Sequence, residues 1–205
     1  MEDLPSRQIM VLGFDLRKPL RACTDSGWPE RRRARFLIRP EILCPASVDR
    51  GVWPPAIENS SSGGNPLNLW NSVSEILAAG PTVVSAEAES PTLIEIGAVP
   101  DERSSRYWHD VFYGYLRQEE GKAIAMEAED LGYDVADRYL LSGLSNCALS
   151  AEELEELRKT WAHRINPLGV FDKVSDAASY VNTCDLLIPE HAPFSAYRIR
   201  RLAIK

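Results

Sequence analysis

The chain has 205 residues, is 44% hydrophobic and 26% charged, and carries a net charge of −7, a composition that suits a folded domain with a substantial core. Its pI of about 5.1 argues against non-specific binding to nucleic acid or to anionic lipid. No apolar run approaches the roughly 18 residues that a spanning helix needs, so the sequence predicts no membrane partner.

The N-terminus, MEDLPSRQIMVLGFD, starts acidic and has a short apolar run, so it reads as no signal peptide and predicts a cytoplasmic chain. Gln8–Leu16 reads as a strand. A basic run, Arg31-Arg32-Arg33-Ala34-Arg35, precedes a short apolar segment, Phe36-Leu37-Ile38, and a second group, Ile42-Leu43-Cys44, stops at Pro45. Residues 1–53 hold ten basic and seven acidic groups, against thirteen and twenty-three in the remainder, so the acidity lies in the later part. Residues 54–67 are rich in Pro, Ser, Gly and Asn and read as a long surface loop of a single domain spanning 1–205.

Asn68–Ala79 has helical spacing and stops at Gly80-Pro81. Thr82–Glu89 and Thr92–Val99 read as strands around Ser90-Pro91, the pattern of a hairpin. Ser104 to about Glu129 reads as a long helix with an aromatic stripe, Trp108, Phe112, Tyr115 and Leu116. Gly132-Tyr133-Asp134 reads as the opening of a turn. Ser150 and Glu153 form a capping box for a helix with Leu154, Leu157, Trp161 and Ile165 on one face, ending before Pro167.

Ser175 is placed as the cap of a shorter helix, Asp176–Cys184. Ser195–Ile204 alternates as a half-exposed strand until Arg200-Arg201, where it either stops or bulges. Gly13-Phe14-Asp15-Leu16 resembles Gly132-Tyr133-Asp134-Val135, but four residues are too few to establish a repeat. Together the elements predict an α+β fold, an antiparallel or mixed sheet packed against two or three helices.

The candidate chemistry is sparse. Gly143-Leu144-Ser145-Asn146-Cys147 is one residue from a nucleophile elbow, and Ser145, Asp172 and His191 follow the order of a catalytic triad. The second glycine is missing, however, and the next helix starts too late, so the stretch reads as a turn. Cys147 near a helix start is an alternative nucleophile, with His163 or His191 as base. His109, His163 and His191 have no metal-ligand spacing, and Cys23, Cys44, Cys147 and Cys184 form no paired motif, so neither a metal nor a cofactor is expected. The run Arg31–Arg35 lacks the Gly-rich or aromatic company of a nucleic-acid site.

Pro189-Glu190-His191-Ala192-Pro193-Phe194 is the most distinctive loop, since two prolines stiffen a Glu–His pair. Asp134 and Asp137 are a further carboxylate pair. The glutamates 152, 153, 155 and 156 sit where a helix dipole favours them. Trp28 and Trp53 lie beside prolines, where an exposed aromatic could anchor the loop or a partner.

These observations point first to a non-catalytic protein-binding module, of the inhibitor or immunity type, contacting a basic partner such as a toxin or nuclease. Trp28, Trp53 and Phe194 are its candidate contact residues. The alternative is a small hydrolase or transferase using Glu190 and His191 with Cys147 or Asp134/Asp137, and it requires these groups to converge.

Overall fold

The ten residues from Met10 to Pro19 alternate into a strand, β1, that becomes the scaffold for much of the chain. The computed structural model describes residues 9–19, 43–45, 69–70, 72–79, 92–99, 101, 126–137, 140, 142–144 and 149–204. Among them the further strands are β2 (Leu43–Pro45), β3 (Thr92–Ala98), β4 (Met126–Ala136) and β5 (Ser195–Ile204). The helices are α1 (Val73–Ala79), α2 (Ala151–Trp161) and α3 (Val174–Leu187). The sheet order is β2-β1-β3-β5-β4, with every neighbouring pair antiparallel. The fold is α+β, as the sequence predicts.

Helix α2 forms where its capping box stands. Ser150 Oγ accepts from Glu153 N at 3.2 Å, and Ser150 N donates to Glu153 Oε2 at 2.8 Å. Leu154, Leu157 and Trp161 are buried against Tyr180, Val181 and Cys184 of α3. Ile165 lies beyond the helix in an extended conformation, packed against the same core.

Four expectations are corrected. Met126–Glu129 is strand rather than the end of a helix, because β5 supplies a ladder and cross-strand cations: Arg201 reaches Glu129 and Arg200 reaches Asp130, both at 3.4 Å. Tertiary pairing of this kind overrides local helix propensity. The rest of the predicted long helix, the 82–89 strand with its hairpin, and the 54–67 loop lie outside the described residues. Gly132-Tyr133-Asp134 is part of β4, not a turn. Ser175 is inside α3, whose cap position is Lys173. Finally, β5 neither stops nor bulges at Arg200; it pairs in unbroken register with β3 as far as Leu202, and the bulge lies on β4, between Asp130 and Gly132.

That bulge reveals a repeat that the sequence alone does not establish. β1 carries a matching bulge between Val11 and Gly13. Gly13 and Gly132 both have positive φ, 153° and 130°. Gly13 faces Ile96, Gly132 faces Ile199, and the two isoleucines face each other across β3 and β5. The next residues, Phe14 and Tyr133, each exchange two backbone hydrogen bonds with an aromatic residue on the outer edge. Phe14 pairs with Trp70 at 2.9 Å and Tyr133 with Phe171 at 2.8 Å. Asp15 and Asp134 then each accept the following backbone N–H at 2.8 Å. Further along, Arg17 pairs with Pro45 and Ala136 with Ser142. Three residues after Trp70 comes α1, and three after Phe171 comes α3.

Within the described residues β1–α1–β3 and β4–α3–β5 therefore correspond, related by an approximate two-fold between β3 and β5, with α2 outside the correspondence. On one face of the sheet each half has its own apolar core. Trp70, Val73, Ile76, Leu93 and Leu202 make one; Phe171, Ala177, Tyr180, Val135 and Ala196 belong to the other. The opposite face buries Leu12, Ile94, Ile96, Leu131, Tyr197 and Ile199.

Candidate functional site

The end of β4 and the approach to β5 bring Asp137 and His191 together. Asp137 immediately follows the strand, and Leu140, with φ of 61°, turns the chain so that its N–H donates to Asp137 O at 3.0 Å. Tyr197 Oη donates to the same carbonyl at 3.3 Å. The Asp137 side chain is thus fixed by its own backbone anchors, and it is 1% exposed. His191 lies in the loop between α3 and β5; its N–H donates to Ile188 O at 3.0 Å, and the Ala192–Pro193 peptide is cis.

His191 Nδ1 lies 2.8 Å from Asp137 Oδ2, while the imidazole remains 42% exposed. A carboxylate only accepts, so Nδ1 carries the proton, and in the neutral ring Nε2 holds the lone pair. A buried carboxylate orienting a half-exposed imidazole is an arrangement that can accept a proton from a bound group.

The other candidates do not join this pair. Asp134 Oδ1 accepts from Ser142 Oγ at 2.7 Å, so the two aspartates are engaged by different partners. Asp172 accepts from Asn166 at 2.9 Å, so the carboxylate on His191 is Asp137 rather than the Asp172 of the triad order. Glu190 is exposed beside the pair, and His163 is exposed next to Arg164. Phe194 is 2% exposed and packs in the core around α3, so its ring is turned to the interior rather than to a partner. Its N–H donates to Asp185 at 2.8 Å, which seats the loop on α3. Ser145, Cys147, His109, Trp28, Trp53 and Arg31–Arg35 lie outside the described residues. Among the described residues no group of His, Cys, Asp and Glu has the geometry of a metal site.

Two helix surfaces stand out. Every exposed position of α3 is uncharged: Val174, Ser175, Ala178, Ser179, Asn182, Leu186 and Leu187. Leu186 is 82% exposed. The neighbouring α2 exposes Glu152, Glu153, Glu155 and Glu156, with Arg158 and Lys159 pairing the last two. Among the described residues no helix is long and apolar enough to cross a membrane.

Sequence reasoning missed one cluster altogether, Glu95 with Arg198 and Arg200. The available signal was a single charge inside the apolar strand TLIEIGA together with alternating arginines in β5. Comparison with protein-family models, curated proteins and solved structures gives no match.

Proposed function

We propose that the chain is a non-catalytic protein-binding module of the inhibitor or immunity type, acting on a basic partner. The observation that carries this reading is the uncharged outer face of α3, with Leu186 almost fully exposed, beside the acidic α2. Interface centres are depleted in charge and rims are polar, and an exposed large apolar side chain on such a face is a candidate anchor. The exposed glutamates of α2 supply attraction for a cationic partner. Capture from the native host at low and moderate salt, with wild type and Leu186→Asp side by side, tests the reading. A basic, salt-sensitive partner lost in Leu186→Asp supports it. Identical prey for the two proteins sinks it.

The Asp137–His191 geometry favours a second reading, a small hydrolase or transferase in which His191 is the base. A panel of ester, amide and phosphoester substrates tests it. Turnover abolished by His191→Ala while the fold is kept supports the reading, and an inactive wild type removes it.

A further inference from the structure

Between the two cores, where the halves meet on the helix-bearing face, the sheet carries charge instead of apolar side chains. Glu95 on β3 stands opposite Arg200 on β5, and Arg198 is on the same face of β5. Glu95 Oε1 accepts from Arg198 Nη2 at 3.2 Å and from Arg200 Nη1 at 3.1 Å. Under the two-fold, Glu95 and Arg198 are equivalent positions, so an opposite-charge pair joins the halves where identical residues would repel. One arginine suffices for that.

The second leaves a surplus positive charge, since Asp130, which reaches Arg200, is largely exposed and screened. Arg198 Nε is buried and has no acceptor among the described residues. A buried charged donor without an acceptor is costly and calls for an explanation. The cross-strand neighbours of Arg198 are Gly97 and Tyr133, neither of which carries a carboxylate. Both arginine side chains keep some surface, 20% and 27%, so the pair borders solvent although Arg198 Nε itself is covered.

We propose that Arg198 and Arg200 form an oxyanion site at the junction of the two halves, taking one carboxylate or phosphate group. A guanidinium fork matches such a group with paired charge-assisted hydrogen bonds. Glu95 holds the two forks in place in the absence of ligand and competes with it when ligand arrives. The site is separate from the α3 face and stands whether or not that face binds a protein.

The test is titration calorimetry of the full chain with inorganic phosphate and, separately, acetate, with ionic strength held constant by chloride. The proposal expects saturable binding of one anion per chain, weakened about ten- to hundred-fold by Arg198→Gln. Arg198→Lys, which keeps the charge but loses the fork, also weakens binding, and Glu95→Gln tightens it by removing the competing carboxylate. Phosphate binding without acetate binding assigns a phosphate group, and the reverse assigns a carboxylate. No binding of either anion to wild type overturns the proposal. So does binding that is unchanged in both Arg198 variants.

Discussion

Gly13 and Gly132 occupy equivalent positions in the two halves of one sheet, each just past a β-bulge and each opposite an isoleucine of a central strand. The relationship is one of backbone. Each glycine takes a positive φ that lets the strand absorb its extra residue, and the following aromatic residue then pairs outward with Trp70 or Phe171. Those outer pairings bring in the segments that continue into α1 and α3. The bulges thus place the helices, and the helices define the two cores between which Glu95, Arg198 and Arg200 lie.

Gly132→Ala should be among the most damaging glycine-to-alanine changes within the described residues. At φ of 130° an L-residue is strained, and a Cβ there would stand 2.5 Å from Phe171 O and 2.8 Å from Val170 Cγ2. The first of these is backbone held by the Tyr133–Phe171 pairing, so it cannot yield without losing those hydrogen bonds. We expect a loss of about 2–4 kcal/mol, read from urea denaturation. A loss below about 0.5 kcal/mol, the range of an ordinary surface change, would show that the bulge is not a constraint.

The capped helix α2 and the strands β1, β3 and β5 were legible because their signals are local: a Ser–Glu capping box, short apolar runs, alternation. The repeat was not legible because so little of it resides in side chains. Only Gly-aromatic-Asp-aliphatic recurs; the rest consists of bulges and edge pairings whose partners, Trp70 and Phe171, are far along the chain. Met126–Glu129 reads as helix because Met-Glu-Ala-Glu is good helix sequence, and its strand character comes from β5. At the site, Asp137 and His191 each stand out in the sequence as candidates, but their pairing depends on how the end of β4 and the loop between α3 and β5 meet, which no spacing rule announces.

Asp15 should make stability depend on pH in an identifiable direction. Burial raises its pKa above the usual carboxylate range, against the opposing pull of the Arg17 guanidinium. The folded state therefore favours the protonated acid relative to the unfolded chain. The resulting stabilisation is full below the unfolded-state pKa and is lost as pH rises through the raised folded value. Asp15→Asn cannot titrate, so its stability relative to wild type should climb across that window and then level off. Denaturation curves of both proteins from acid to neutral pH check this, and a constant difference between them would refute it.

Cys184 should be chemically silent in the native protein. Burial pushes its thiol up to about 12, with the nearby charges of Asp134 and Asp185 adding to the rise and the Tyr180 hydroxyl opposing it. The thiolate is the reactive form, and an increase from an ordinary 9.0 lowers its population about a thousand-fold. Alkylation under native, mildly alkaline conditions followed by peptide mapping should leave Cys184 unmodified, while the same reagent in concentrated guanidinium modifies it. Rapid native labelling at Cys184 would mean that the core around α3 opens readily.

His191→Ala separates the structural share of the Asp137–His191 pair from any chemical one. Asp137 is buried, so losing the imidazole removes a donor from a carboxylate that water replaces poorly, whereas the half-exposed histidine gives up little apolar burial. We expect about 1–2 kcal/mol of destabilisation. The carbonyl of Asp137 keeps its bonds from Leu140 and Tyr197, and Phe194 remains seated through Asp185, so the loop should keep its path into β5. His191→Asn supplies a shorter donor and should recover part of that stability without supplying a base. If an activity is found, its loss in both variants together with this partial recovery of stability assigns His191 as the proton acceptor. Equal activity in wild type and both variants leaves the pair as a structural tie between β4 and the approach to β5.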